Sequence, residues 1–359
     1  MKSLKNPYRG TTLGAPALAD VPFPSVNAAA VRELLGRCPA AGITPLVPAA
    51  DIARHAGVAS VHVKDERGRM GLGSFKALGA AYVIATDAVA TGSSDLGKAL
   101  QGVTYVTASA GNHGISVAAG AQIFGAGAVI YIAETVPESF AMRLREKGAQ
   151  VRRVGVDYEA SMAAAAQAAE AEGLRLLSDS SWEGYLEPPH RLMEGYLAMI
   201  SEAVEQIPLP PTHIFLQAGV GGMAGAVAAL ARAEWGDGPT ILVVEPEAAP
   251  ALFASIDAGG PVLADGPVST MGRLDCKEPS LIALKGLARD ADFFVTISDA
   301  AVDEQLPVLE AAGLATSPSG GAGLAVLLAA GRGGDEAAAD WGLDGTSRVL
   351  AILSEGPQE

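Results

Sequence analysis

The sequence predicts an α/β fold with two open, mostly parallel twisted sheets covered by helices. Between Val103 and Leu216, short apolar segments alternate with longer segments of helical pattern. Hydrophobic residues make up 49% of the 359 residues and aromatic residues only 5%, which is typical of a layered α/β enzyme. Strands that alternate with helices form parallel sheets with both faces covered. The length suggests about two domains, each able to bury its own core.

The individual elements follow from local composition. An extended segment is expected at Ile43–Leu46, since a proline restricts the residue before it. The predicted strands share short apolar or β-branched runs: Val61–Lys64, Val103–Thr107, Ala128–Ile132, Gln150–Val154, Leu174–Leu177, His213–Leu216, Thr240–Val244 and Arg348–Leu353. The predicted helices share Ala-rich or amphipathic patterns: Ala77–Ala85, His113–Phe124, Glu138–Lys147, Asp157–Glu172, Pro189–Gln206 and Gly222–Ala233. Gly331–Asp335 predicts a flexible loop. We expect a large domain of residues 1–85 and 190–359, a smaller α/β domain of residues 86–189, and a ligand between them.

Composition excludes several classes of function. The formal net charge is -15, so nucleic acid and anionic membrane surfaces are poor partners. The longest apolar stretch, Val117–Ala133, contains a glutamine and several glycines and does not favour a membrane span. Cys38 and Cys276 are too few for a disulfide framework, and no apolar segment of a secretory signal follows the amino terminus. The histidines at positions 55, 62, 190 and 213 show no metal-ligand spacing, so no metal is expected. These features predict a cytoplasmic protein.

The first motif that could carry chemistry is Gly73-Ser74-Phe75-Lys76-Ala77. Ser74 is the predicted N-cap of the helix that follows, because its hydroxyl can accept from N–H groups of the first turn. Lys76 would then lie at the positive end of the helix dipole, where its charged form is disfavoured. A neutral amine is what a Schiff-base lysine must supply. Taken alone, most lysines in a first turn point into water.

The second motif is a glycine-rich turn after the strand His213–Leu216. In Gly219-Val220-Gly221-Gly222-Met223, glycines allow close approach of a ligand and the helix start favours an anion. Gly219, Gly221 and Ala224 also fit the dinucleotide pattern G-x-G-x-x-A, with Glu245 as the ribose-binding acid. A monophosphate site, a dinucleotide site and a plain strand-to-helix turn therefore remain open for this motif.

The third motif is Ser109-Ala110-Gly111-Asn112-His113, between a strand and a helix. Its small residues allow the loop to lie against a flat ligand, and Asn112 offers both a donor and acceptors. Ser109 or Asn112 could instead cap the next helix, and His113 alone would more often be a packed helix residue.

Together the three motifs resemble the fold-type II pyridoxal-phosphate enzymes, the tryptophan-synthase-β superfamily. Ser74-Phe75-Lys76 resembles the cofactor-lysine motif, Ser109–His113 the substrate and ring-contacting loop, and Gly219–Gly222 the phosphate loop. The order and spacing match from about Ile43 to Gly356. The resemblance implies pyridoxal 5'-phosphate as cofactor, with contacts from Phe75, Lys76, Asn112, Gly219, Val220, Gly221, Gly222, Met223 and Ser354. It also implies a small amino-acid substrate, bound at Ser109, Ala110, Gly111, Asn112 and His113, and a homodimer.

Finer features resemble the diaminopropionate ammonia-lyase subfamily. Asp179-Ser180-Ser181-Trp182-Glu183-Gly184-Tyr185 is similar to its Asp-x-x-Trp-Glu-Gly-Tyr segment, and Leu353-Ser354-Glu355-Gly356 to its C-terminal turn. Where the subfamily has an acidic residue before Gly-Asn-His, this chain has Ala110, as a serine or threonine dehydratase would. A methyl group cannot accept a proton, so turnover of a D-substrate by the subfamily's route is not expected. Asp179 could orient a substrate amine, or it could be a solvated loop carboxylate.

The resemblance implies an α,β-elimination. Lys76 would carry the cofactor and then, with a pKa held near neutral, abstract the α-proton. Ser354 would contact the ring nitrogen without forcing its protonation. The expected reaction converts 2,3-diaminopropionate into pyruvate and two ammonia. A dehydratase for serine, threonine or hydroxyaspartate is the main alternative; a β-replacement synthase and a non-catalytic cofactor-binding protein are further ones.

Overall fold

The computed structural model of the chain describes residues 1–38, 40–331 and 336–357. The predicted loop at Gly331–Asp335 therefore lies, apart from Gly331, outside the described residues. The described strands are β1 Lys2–Lys5, β2 Leu46–Pro48, β3 Ser60–Asp65, β4 Thr104–Ala108, β5 Gly127–Ile132, β6 Gln150–Arg153, β7 Arg175–Leu176, β8 His213–Gln217, β9 Thr240–Pro246, β10 Phe293–Ile297 and β11 Arg348–Leu353.

The α-helices of the same residues lie singly or in groups between these strands. They are α1 Ala28–Leu35, α2 Ala50–Ala56, α3 Lys76–Ala90, α4 Asn112–Ile123, α5 Glu138–Glu146, α6 Tyr158–Glu172, α7 Glu187–Gln206, α8 Gly222–Trp235, α9 Ala251–Ala258, α10 Leu281–Asp290, α11 Asp299–Asp303, α12 Leu306–Ala311 and α13 Pro318–Gly331. Short 3₁₀ turns cover Pro16–Leu18, Arg69–Gly71, Leu96–Lys98 and Glu336–Trp341.

Two sheets organise these elements. The larger has the strand order β1-β10-β9-β8-β11-β3-β2, in which only the edge strands β1 and β2 run antiparallel to their neighbours. The smaller has the order β6-β5-β4-β7 and is parallel throughout. The predicted fold class is thereby confirmed. All four strands of the smaller sheet lie between residues 104 and 176, inside the segment 86–189, whose standing as a separate domain remains a prediction.

The central strands are buried because their sequences are apolar along their whole length. Each residue of β8 and β10 is buried, as parallel strands covered on both faces require. Helices α7 and α8 bury long apolar stripes, and α3 packs between α7 and α4. None of the helices in the described ranges combines the length and apolarity that crossing a membrane requires.

A buried ionic network fixes the turn that precedes α3. The guanidinium of Arg69, 1% exposed, lies 2.7 Å from a carboxylate oxygen of Glu66 and 2.7 Å from one of Glu202 on α7. Lys64 Nζ donates to the same Glu202 carboxylate at 2.6 Å. Since removing one partner would leave a buried charge unpaired, this network holds the start of α3 in a fixed position against α7.

Candidate active site

All the predicted site residues line one cavity of about 910 Å³. They are Phe75, Lys76, Ser109, Ala110, Gly111, Asn112, His113, Asp179, Gly219, Val220, Gly221, Gly222, Met223 and Ser354. The cavity lies where β4 of the small sheet and β8 and β11 of the large sheet end. Ligands of parallel α/β sheets bind at these carboxyl ends, because the loops that follow the strands converge there.

Lys76 and Asp179 form an ion pair inside this cavity. Lys76 Nζ donates to Asp179 Oδ2 at 2.5 Å, and both side chains are largely covered. Burial alone would lower the pKa of Lys76, but the attraction of Asp179 outweighs it and the pKa is raised. Burial likewise opposes ionisation of Asp179, yet the charge of Lys76 holds the pKa of its carboxyl below the usual range. The expectation that the pKa of Lys76 is held near neutral is wrong for this pair, because the charge of Asp179 raises it. Asp179 lies 103 positions away in the chain, so no local sequence pattern indicates this contact.

Ser74 does not cap the helix, contrary to the prediction. Helix α3 begins at Lys76 without a side-chain cap, and Ser74 Oγ is buried with no hydrogen-bond partner. The segment before the helix pairs instead with the C-terminal turn: Phe75 N donates to Ser354 O at 3.1 Å. Gly356 N donates in turn to the carbonyl of Gly73 at 3.2 Å. These two bonds bring the C-terminal turn beside Lys76.

The Ser354 side chain lies at the end of β11, next to the end of β8. Its hydroxyl is buried and accepts from Gln217 Nε2 at 3.1 Å. The same amide nitrogen also donates to Gly320 O and Ile352 O, while Gln217 Oε1 is buried without a partner. Ser354 is therefore held in place on the cavity wall, where its hydroxyl can still donate a hydrogen bond.

The glycine loop presents free backbone N–H groups to the cavity. Helix α8 begins at Gly222 with no side-chain cap, so the N–H groups of its first turn have no intrahelical partner. Gly221 has φ +96°, and a Cβ there would lie 3.0 Å from Ala283 Cβ and 3.0 Å from Leu252 Cδ1. A Cβ on Gly219 would lie 3.0 Å from Cys276 Sγ. Uncapped N–H groups and the helix dipole at this place fit a phosphate group.

Glu245 does not supply the acid of a dinucleotide site. Its carboxylate is fully buried and accepts from Leu252 N at 2.7 Å and Phe253 N at 2.8 Å, at the start of α9. Burial raises its pKa to about 8, against the effect of these two bonds. An acid enclosed in this way cannot reach a ribose, so the dinucleotide alternative fails and the monophosphate interpretation of the glycine loop remains.

The loop Ser109–His113 does not cap α4 with a side chain either. The N-cap is Gly111, and Ser109 Oγ accepts from Gly111 N at 3.2 Å. Asn112 Nδ2 donates to the Glu355 carboxylate. His113 Nε2 contacts Leu177 O at 2.8 Å, and its buried Nδ1 has no partner. Burial lowers the pKa of His113, so the imidazole is neutral with a free acceptor nitrogen.

Several cavity residues were not predicted from the sequence. Glu355 positions Asn112, and its adjacency to Ser354 in the C-terminal turn was the available signal. Tyr158, the first residue of α6, lines the cavity and is about half exposed (51%). Cys276 lies beside the glycine loop, and burial raises the pKa of its thiol to about 12. Arg273 reaches the same cavity from the segment just before Cys276. Within the described residues, no cluster of three or more His, Cys, Asp or Glu side chains could hold a metal ion.

Comparisons with known proteins agree with this geometry. The family model of pyridoxal-phosphate dependent enzymes matches residues 38–355. A diaminopropionate ammonia-lyase of Salmonella typhimurium is 33% identical over 285 residues, which cover 73% of this chain and 70% of that protein. The human L-serine dehydratase/L-threonine deaminase is 29% identical over 198 residues, which cover 54% of this chain and 58% of that protein.

A solved structure gives the same relationship. The crystal structure of the Escherichia coli diaminopropionate ammonia lyase in complex with D-serine superposes with a TM-score of 0.87 and 29% identity. The match covers 99% of this chain and 93% of that one. A lysine beside an uncapped glycine loop and a buried hydroxyl at the end of β11 are the parts that such a cofactor site needs. The chain therefore belongs to the family of pyridoxal-phosphate dependent enzymes, with the fold-type II architecture.

Proposed function

We propose that this chain is an ammonia-lyase that converts 2,3-diaminopropionate and one water molecule into pyruvate and two ammonia. The observation that carries the proposal is the Lys76–Asp179 pair in a cavity whose other walls are the glycine loop and the loop Ser109–His113. The 33% identical Salmonella relative, a diaminopropionate ammonia-lyase, supports the same substrate. The resemblance of Asp179–Tyr185 to the Asp-x-x-Trp-Glu-Gly-Tyr segment of the diaminopropionate ammonia-lyase subfamily supports it as well.

In this proposal Lys76 and the glycine loop would hold the cofactor between them. Pyridoxal phosphate, when bound, supplies an electron sink that stabilises negative charge at the α-carbon of an amino acid. Lys76 would hold its aldehyde carbon, Gly219–Met223 its phosphate and Ser354 its ring nitrogen, with Phe75 and Asn112 against the ring. Because the Ser354 hydroxyl is not a charged acid, it would not force the ring nitrogen to take a proton. An unprotonated ring favours prompt elimination over a long-lived carbanion.

The proton transfers are assigned to Lys76 and Asp179. Lys76 Nζ removes the α-proton of the substrate, and the neighbouring carboxylate stabilises the resulting ammonium. The pair must first lose its own proton to solvent, because a charged amine cannot act as a base. A substrate ammonium that competes for Asp179 would withdraw the attraction that raises the pKa of Lys76, so that burial then lowers it. The same contact would orient the amine that leaves from the β-carbon.

Substrate binding is assigned to the loop of small residues. The N–H groups of Ser109–Asn112 would bind the substrate carboxylate, close to the neutral imidazole of His113. Ala110 has no group that can accept a proton, so the L-isomer is the proposed substrate. We also propose a homodimer in the cytoplasm. The family resemblance supports dimerisation, which light scattering after size-exclusion chromatography would test.

A dehydratase for serine, threonine or hydroxyaspartate is the second candidate. Ala110 favours it, because the chain here departs from the ammonia-lyase motif, and the human serine dehydratase relative supports it. A screen of keto-acid release over both enantiomers of diaminopropionate, serine and threonine separates the two. Pyruvate from L-2,3-diaminopropionate at a kcat/KM well above that for L-serine supports the ammonia-lyase, and the reverse order supports the dehydratase.

A further inference from the structure

The guanidinium of Arg273 lies directly against the loop that faces the substrate. A Cβ built on Gly111 would lie 2.5 Å from Arg273 Nη1 and 2.9 Å from its Cζ. The side chain is 26% exposed, and it lines the cavity that also contains Lys76. A cationic fork is therefore within reach of any group bound at Gly111.

This guanidinium has no hydrogen-bond acceptor among the described residues. Its Nε is buried without a partner. The carboxylate of Glu355 is 3.9 Å from that Nε, beyond hydrogen-bond distance. Both oxygens of Glu355 already accept elsewhere, from Asn112 Nδ2 and from Ser317 Oγ.

Unlike the guanidinium of Arg273, both lysines that line the cavity have hydrogen-bond acceptors. Lys277 Nζ donates to Ala248 O, Pro267 O and Asp275 Oδ1, all within 2.8 Å. Lys76 is paired with its carboxylate. A buried N–H donor without an acceptor costs free energy. The guanidinium has five N–H donors, and none has an acceptor among the described residues, so it is suited to bind an anionic ligand.

The backbone of the neighbouring loop Ser109–His113 does not offer all of its N–H groups to a substrate carboxylate. Gly111 N, one of the N–H groups assigned to the substrate carboxylate, already donates to Ser109 Oγ at 3.2 Å. A planar guanidinium matches a carboxylate with two parallel N–H···O bonds, which a lysine or a single N–H cannot supply.

We propose that Arg273 is a substrate-binding residue that holds a carboxylate of the amino-acid substrate. The inference rests on the proposed function for the substrate class. The carboxylate is either the α-carboxylate, shared by all amino acids, or a second carboxylate, as in aspartate or hydroxyaspartate.

A structural role is the competing explanation. Arg273 Cζ lies 5.7 Å from the centre of the Phe140 ring, so the guanidinium also packs against α5. If packing were the only role of Arg273, replacing it would weaken the binding of ligands with and without a carboxylate to the same extent.

The test uses ligands that bind but carry no β-leaving group. The holoenzyme is titrated with L-alanine, L-alaninamide and L-aspartate, and the change in cofactor absorbance gives each Kd. Wild type, Arg273→Gln and Arg273→Lys are compared with Arg37→Gln, which removes the same charge from an exposed position paired with Glu33.

If Arg273 holds the α-carboxylate, Arg273→Gln weakens L-alanine and L-aspartate roughly 10- to 100-fold and leaves L-alaninamide within about twofold. If it holds a second carboxylate, only L-aspartate is weakened. Arg273→Lys should recover part of the loss, and Arg37→Gln should change nothing. The proposal is overturned if L-alaninamide is weakened as much as the two acids, or if none of the three changes. Failure of the proposed function would give a different result. Wild type would then release no keto acid from diaminopropionate, while Arg273→Gln would still weaken the acids more than L-alaninamide.

Discussion

Asp179 Oδ2 accepts a hydrogen bond from Lys76 Nζ at 2.5 Å, joining the start of α3 to the loop after β7. The two residues are 103 positions apart in the chain. This pair decides the charge of the amine that must act as a base. It also places a carboxylate where the amine of a substrate would arrive.

The first prediction concerns Asp179→Asn. Without the carboxylate, the buried Lys76 loses its counter-charge and the substrate amine loses its partner. We expect kcat for keto-acid release to fall about 10²- to 10⁴-fold, while the cofactor still binds covalently. Stopped-time keto-acid assays and the cofactor absorbance measure the two effects. Unchanged turnover would show that Asp179 takes no part in catalysis.

The second prediction concerns Gly221→Ala. The left-handed φ of +96° and the close contacts with Ala283 and Leu252 make any side chain costly at this position. We expect the affinity for pyridoxal phosphate to fall on the order of tenfold or more, measured by titration of the apoenzyme. Gly236→Ala at the other end of α8 is the matched control, because its φ is also positive but no atom lies within 4 Å. Equal weakening in both variants would contradict a specific role for the loop.

The third prediction concerns Ala110. Wild type should release keto acid from L- but not from D-2,3-diaminopropionate, because no acid stands in the loop before Gly111. Ala110→Asp should gain measurable activity on the D-isomer, while Ala110→Asn should not. An assay of keto-acid release with each pure enantiomer as substrate tests this. Strong D-activity of wild type would show that another group supplies the second base.

The fourth prediction is a pH dependence of stability caused by Glu245. Its pKa is raised from 4.5 to about 8 in the folded chain. Between these values the folded protein keeps a proton that the unfolded chain has lost, so the free energy of unfolding falls as pH rises. The loss is on the order of a few kcal/mol across the window.

Glu245→Gln cannot ionise and should flatten this pH dependence. Thermal unfolding followed by circular dichroism measures it between about pH 5 and pH 8, roughly the limits of this window. Glu33→Gln, an exposed charge change, is the control. A Glu245→Gln protein with the slope of wild type would show that the carboxyl titrates normally.

The features predicted correctly from the sequence are those that depend on residues close together in the chain. The glycine turn after β8, the alternation of strands and helices and the lysine at the start of α3 all follow from neighbouring residues. Two errors had a non-local cause. Ser74 is covered by the C-terminal turn, and the pKa of Lys76 depends on a carboxylate from a distant loop. Neither contact has a sequence pattern of its own.

Other elements escaped prediction for simpler reasons. The pattern-based prediction names no element between residues 245 and 330, where the structure has α9 to α13 and the buried strand β10. Strand β1, Lys2–Lys5, is polar and lies at a sheet edge, so its identity depends on pairing with β10. Arg273 could not be found because its relation to Gly111 exists only in the folded chain.

The most direct test is the site of covalent cofactor attachment. Holoenzyme is reduced with borohydride, digested and analysed by mass spectrometry for a phosphopyridoxyl lysine. The account predicts that the modification falls on Lys76 and that Lys76→Ala protein carries none. A label on any other lysine, or purified protein that acquires neither colour nor label with added pyridoxal phosphate, would contradict it.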